Sequence, residues 1–200
     1  MQIDIAPIRN KQRIYIGGTH GVAEIFNICQ HVLNHIGKPV DFYTFGEEPE
    51  FTDAPVIIIK GGDEFENDSS PMQSLDIHIL LVHVMNDDIP KGYPSFDDYV
   101  LEYEKLADSL PKAGSLIYLE SDNVATMMGK KEREDVKAIE YTALKSVITN
   151  KGFAINTDGG KIDVKTEDQF FPRHAAGAKA LLNRIGVSDA QFFSALKSLA

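Results

Sequence analysis

Apolar residues in this chain arrive as short unbroken runs, separated by stretches in which they recur every three or four positions. Ile14 to Ile16 is the first run. Val40 to Phe45 is the second, and A-P-V-I-I-I-K, Ala54 to Lys60, is a continuous β-branched one. D-I-H-I-L-L-V-H-V-M, Asp76 to Met85, and Ser115 to Leu119 follow. Unbroken runs of this length suit strands covered on both faces, as in a parallel sheet. Between them the spacing predicts a helix from Val22 to Ile36, closed by Gly37 as a left-handed cap. Ser95 caps a second helix, whose apolar positions are Phe96, Tyr99, Val100, Tyr103, Leu106 and Leu110. Pro111 ends it, and a short helix is expected near Asn123 to Met128.

The pattern changes after Lys130. Lys130 to Lys137 is a charge-rich connector. Ile139 to Thr166 reads as short strands, with Asp158-Gly159-Gly160 as a hairpin turn. Two helices follow, Arg173 to Ile185 and Asp189 to Leu199, separated by Gly186, and Ser188 with Gln191 forms a capping box for the second. The expectation is one α/β domain over residues 1–200. It has a three-layer, P-loop-like core over about 1–129, a mainly parallel sheet with helices on both faces. A small β-rich extension spans about 138–170, and C-terminal helices span 173–199.

Composition narrows the partners. The 200 residues are 43% apolar and 25% charged, ordinary for a globular protein, and the net charge is −10. No basic run stands out, so neither nucleic acid nor an anionic membrane is an expected partner. Cys29 is the single cysteine, which excludes an intrachain disulfide and reads as a buried thiol. No apolar run reaches about 18 residues and the polar N-terminus does not resemble a signal peptide, so a cytoplasmic location is expected.

The candidate chemistry lies in R-I-Y-I-G-G-T-H-G-V-A-E, Arg13 to Glu24. A strand that turns through Gly17, Gly18, Thr19, His20 and Gly21 into a helix makes an anion site, because backbone N–H groups converge there and the helix dipole adds positive potential. A nucleotide-binding loop also needs a Lys after the last Gly and then a Ser or Thr for Mg²⁺. Those places hold Val22 and Ala23, and Glu24 follows. The frame is present and its working groups are missing.

Several stretches together resemble the central, ATP-binding domain of Mur ligases, especially the muropeptide ligases that attach a recycled peptide to UDP-N-acetylmuramate. Gly17 to Gly21 is similar to that family's G-G-S/T-H-G-K-T-T loop. Gly37-Lys38-Pro39, Asp53-Ala54-Pro55, Ser69-Ser70-Pro71, Tyr93-Pro94-Ser95-Phe96 and Ala176-Gly177-Ala178-Lys179 with Ile185-Gly186-Val187 also look like the subgroup. The resemblance implies an acyl-phosphate ligase fold with neither the flanking UDP-sugar-binding domain nor the C-terminal domain. It also implies departures where the chemistry lies. Lys60 stands where the family has a metal-ligand Glu, ahead of Gly61-Gly62-Asp63-Glu64. Val84 to Ile89 keeps only Asp88 of an N-x-x-x-D-H motif, and Phe170 to His174 replaces H-N-x-x-N.

The resulting expectation is a degenerate P-loop, with no catalytic residue, no metal and weak or absent binding of ATP and Mg²⁺. Glu24, Lys60, Asp63, Glu64, His83 and Asp88 would be a relic of the metal and phosphate pocket, with the Lys60 ammonium either reaching Glu24, Asp63 or Asp88 or pointing into solvent at its strand end. His20 is either an anion contact or a hydrogen bond that holds the turn. His83, at a strand end where α/β ligand sites lie, is either a ligand contact or structural. His78 reads as a satisfied strand imidazole. His31 and His35, one turn apart without a third ligand, read as a solvated face. Asp87-Asp88 with Asp63-Glu64 is either a carboxylate cluster or solvated loop acids. The functional expectation is a non-catalytic binding or scaffold protein linked to cell-wall precursor metabolism, acting through an unknown protein partner or a homodimer. The alternative is an ATP-dependent amide ligase subunit completed by another chain.

Overall fold

A computed structural model describes residues 6–44, 47, 48, 50–61, 71–86, 88 and 92–199. Ile14, Tyr15 and Ile16 are all buried in β1 (Gln12–Gly17), because this strand is central and both its faces are covered. It lies between β3 (Val56–Lys60) and β4 (Ile79–Val82). With β2 (Asp41–Thr44), β5 (Ser115–Leu119) and β6 (Lys137–Tyr141) they form a six-stranded parallel sheet of order β2-β3-β1-β4-β5-β6.

The helices divide between its faces. On one face α1 (Val22–His35), α4 (Phe171–Arg184) and α5 (Asp189–Leu196) pack with Ile14, Ile16, Ile58, Leu81 and Ile117. On the other, α2 (Phe96–Asp108) and α3 (Asn123–Lys130) pack with Tyr15, Ile57, Ile59, Leu80 and Val82. Each fully buried Ile or Leu contributes about 1.5–3 kcal/mol, so a strand that alternates sides feeds both cores equally. In α1 the buried Ile25, Phe26, Ile28, Cys29, Val32 and Leu33 form one stripe, and burial pushes the Cys29 thiol pKa upward. Gly37 follows the helix with φ 66°, as its sequence position predicts. The Ser95 hydroxyl accepts the Asp98 N–H at 3.1 Å, and the Ser188–Gln191 capping box is formed.

The stretch read as short strands divides in two. Lys137–Tyr141 pairs with β5 and belongs to the parallel sheet. The extension is the three-stranded antiparallel sheet of β7 (Ser146–Thr149), β8 (Gly152–Thr157) and β9 (Gly160–Lys165). Its inner residues Phe153, Ile155, Ile162 and Val164 join the same core as α1, α4 and α5.

Candidate functional site

The loop after β1 is held by its own chain. Gly18 N–H donates to the Tyr103 hydroxyl at 3.1 Å, and Thr19 N–H donates to the Val84 carbonyl at 2.6 Å. The Thr19 hydroxyl donates to the same carbonyl at 3.0 Å and accepts the Asn86 N–H at 3.2 Å. His20 pairs with Val84 in an antiparallel bridge. Its Nδ1 lies 3.2 Å from the Thr19 hydroxyl and its Nε2 3.4 Å from exposed Asp88. His20 therefore helps to hold the turn. Two amides of the loop, those of Gly18 and Thr19, are already engaged, and the first turn of α1 supplies further donors. Gly21 is its N-cap, at φ 75°, and no side chain caps it. Exposed Glu24 stands in that turn.

Two imidazoles sit under the helix start. A Cβ on Gly21 would lie 2.5 Å from His83 Cδ2 and 2.6 Å from His174 Nε2, so both its φ and its surroundings require glycine. His83 is fully buried and lies 2.5 Å, through Nδ1, from the Tyr141 hydroxyl. Burial first, then the charges of His174 and Arg173, push His83 down to about 3, so it is neutral at ordinary pH. Burial raises the Tyr141 pKa and keeps its proton. If that proton goes to His83 Nδ1, Nε2 carries the N–H and is the single orphan of the pair; the opposite tautomer leaves two. Nε2 has no partner among the described residues. His174 Nδ1 is 2.6 Å from Asp168, and the two histidine rings meet edge to face at 5.2 Å. His83 therefore links the end of β4 to β6 through Nδ1 and leaves Nε2 unpartnered among the described residues.

The pairing expected for Lys60 is not formed with Glu24 or Asp88. Its ammonium lies over the Phe26 ring, 6.0 Å from the centroid, because the end of β3 faces the second turn of α1. Asp63, Glu64 and Asp87 lie outside the described residues. His78 Nδ1 accepts the Arg13 N–H at 3.1 Å, as expected of a satisfied imidazole. His31 and His35 face α5 and not solvent alone: His31 Nε2 is 3.0 Å from the Ala195 carbonyl, and His35 Nδ1 is 3.3 Å from the Ser198 hydroxyl. Among the described residues no group of three or more His, Cys, Asp or Glu is placed to hold a metal, and no helix is long and apolar enough to cross a membrane.

The chain superposes on the UDP-N-acetylmuramate:L-alanyl-gamma-D-glutamyl-meso-diaminopimelate ligase (MPL) of Neisseria meningitides with a TM-score of 0.74 and 14% identity, over 96% of this chain and 67% of that one. The fold is Mur-ligase-like. MurF from Acinetobacter baumannii matches with a TM-score of 0.74 and 11% identity, over 97% of this chain. FPGS of L. casei matches with a TM-score of 0.69 and 13% identity, over 97% of this chain. The chain spans 48% of the MurF chain and 64% of the FPGS chain. No protein-family model and no curated protein matches the sequence.

In this Mur-ligase-like fold the sequence reading located the loop and missed what holds it. Tyr103 of α2, Tyr141 of β6 and Asp168 ahead of α4 are far apart in the chain and carry no local motif. The one available signal was His174 within F-F-P-R-H.

Proposed function

We propose that this chain is a non-catalytic Mur-ligase-like domain, a cytoplasmic binding or scaffold protein that serves cell-wall precursor metabolism through a protein partner. One observation carries the reading: the helix that follows the glycine loop opens with Val22-Ala23-Glu24. A triphosphate at that position would meet no ammonium from Val22 and no metal-binding hydroxyl from Ala23, and would meet a carboxylate one residue further on. The Lys60 ammonium, at the end of the adjacent strand β3, lies against Phe26. Titration calorimetry of the purified chain with Mg-ATP tests it. The expected outcome is no binding tighter than millimolar, and a dissociation constant in the low micromolar range overturns the reading.

A second reading is an ATP-dependent amide ligase subunit completed by another chain. The uncapped N-terminus of α1 favours it, because those donors remain free for an anion. On that reading Mg-ATP binding appears once the completing chain is present.

A further inference from the structure

A cleft of about 480 Å³ runs between the outer strand β6 and α4. That volume falls within the usual range of binding clefts, roughly 300–1,000 Å³. Among the described residues β6 pairs with β5 alone, so the cleft is open on its outer side. Side chains alternate across a strand, and Ile139 and Tyr141 turn to the face that α1 and α4 cover. With Leu144, Ala176 and Ala180 they give the cleft an apolar floor.

Two cations stand at one end of that floor. Lys137 opens β6 on the same face as Ile139 and lies opposite Ser115 in register. Arg184 Nε donates to the hydroxyl of fully buried Ser115 at 3.0 Å. The guanidinium and the Lys137 ammonium therefore stand on neighbouring strand positions of one face. Neither makes an ion pair among the described residues, and the two terminal nitrogens of Arg184 have no protein partner there. Other cations at this end of the sheet are spent on the chain itself. Lys11 pairs with Asp41 at 2.9 Å, and the Arg13 guanidinium collects four carbonyls.

The neighbouring acids leave this charge uncompensated. Glu140 lines the cleft, but its carboxylate turns to the other face of the sheet and accepts the Tyr118 hydroxyl at 3.2 Å. Asp189 is paired with Lys179, the third cation of the lining, at 2.8 Å. Asp135, two residues before Lys137, is paired with Lys112 at 3.1 Å. Arg184 stands in the last turn of α4, so part of its charge complements that helix end, and Lys137 adds a full one. The cleft is an apolar trough with positive charge at one end.

We infer that this cleft binds a small organic monocarboxylate. Its carboxylate lies between Lys137 and the free N–H groups of Arg184, and its apolar body runs along Ile139 and Ala180 toward Leu144. Ser115 holds the guanidinium in place beforehand, which lowers the cost of ordering it around the ligand. The inference goes beyond the scaffold reading and does not depend on it. The cationic end lies where the strands begin, and the glycine loop lies where they finish.

The probe is octanoate, titrated into the isotope-labelled chain and followed by NMR, with octylammonium beside it. Octanoate is expected to bind with a dissociation constant below about 1 mM, with the largest shifts at Ile139, Leu144 and Ala180, and octylammonium is not expected to bind. Lys137→Glu, at an exposed position, and Arg184→Gln each weaken octanoate about tenfold or more with the melting temperature unchanged. If Arg184→Gln lowers the melting temperature, Lys137→Glu decides alone. The inference is overturned if octanoate binds more weakly than about 1 mM, if octylammonium binds equally, if the shifts fall on Gly17 to Gly21 instead, or if Lys137→Glu binds like the parent. The Lys137 N–H donates to the Gly114 carbonyl, so that of Ala138 faces away from β5. Sedimentation that shows a dimer abolished by Ala138→Pro also overturns the inference, because a second copy then covers the cleft. Tight Mg-ATP binding would sink the non-catalytic reading and leave these octanoate results as they are.

Discussion

The two ends of the parallel sheet treat charge in opposite ways. At the end where the strands begin, Lys11 and Asp41 form an ion pair at 2.9 Å, with only 6% and 3% of their side chains exposed. The Lys11 ammonium also donates to the carbonyls of Thr52 and Ala54, and Asp41 accepts from the Thr52 N–H and hydroxyl. Beside them the Arg13 guanidinium collects the carbonyls of Ile8, Arg9, Lys11 and Asp76. At the end where the strands finish, the glycine loop is held by a phenol, an imidazole pair and backbone bonds, while Glu24, His20 and Asp88 face solvent. Ligands of open α/β sheets bind at the finishing end, so charges there are ordinarily left for a ligand to complete. Here the fully satisfied charges sit at the opposite end, where they stabilise the fold.

The comparison breaks most visibly at Lys11. Lys11→Met leaves the Asp41 carboxylate buried without its counter-charge, and a loss of about 3–5 kcal/mol is expected from urea unfolding. Burial alone would raise the Asp41 pKa, but the Thr52 and Lys11 hydrogen bonds and the Lys11 charge outweigh it and hold it below the ordinary value. The stability it contributes is therefore complete above the unfolded value of about 3.9 and is lost as the pH falls through the lower folded value. Asp41→Asn should remove that acid-side loss. A Lys11→Met protein that unfolds at the parent's urea midpoint would show that the pair adds nothing.

At the loop end the equivalent test is Gly21→Ala. The left-handed φ and the crowding against His83 and His174 act together, and a loss of about 2–4 kcal/mol is expected. Gly37→Ala separates the two causes, because Gly37 has φ 66° with nothing within 4 Å of the added methyl. About 1 kcal/mol is expected there. Equal losses at the two glycines would mean that the imidazole packing around Gly21 is loose and adds nothing to the cost of its backbone conformation.

These contrasts mark where sequence reasoning reaches and where it stops. The parallel sheet was legible because Val56 to Ile59 and Ile79 to Val82 are unbroken apolar runs, which only a doubly covered strand accommodates. β6 was not, because K-A-I-E-Y is a half-exposed edge strand and reads like the antiparallel extension that follows it. The glycine loop was legible from its spacing and from the residues after Gly21. Its supports were not, because Gly18 meets Tyr103 across 85 residues and His83 meets Tyr141 across 58. Local pattern carries no information about such pairings. The Lys11–Asp41 pair was missed for the same reason, its partners being separate polar residues at two strand starts.

The smallest effect belongs to Lys60, and it sharpens the contrast most directly. A lysine that had replaced a lost metal ion would be tied to carboxylates, and its removal would be costly in the way expected for Lys11. Its ammonium is instead 6.0 Å from the Phe26 centroid, at the outer limit of a cation–π contact, and makes no ion pair among the described residues. Lys60→Met should therefore lower stability by less than about 1 kcal/mol, measured by the same urea unfolding. Lys60→Glu places a carboxylate at the end of β3, but Ala23 supplies no oxygen, and Mg²⁺ requires near-octahedral oxygen ligation. No rise in melting temperature with added Mg²⁺ is expected for that variant. A Mg²⁺-dependent rise would mean that the loop end keeps a cation site which one side chain restores, and that its charges, like those at the other end, are arranged around a specific partner.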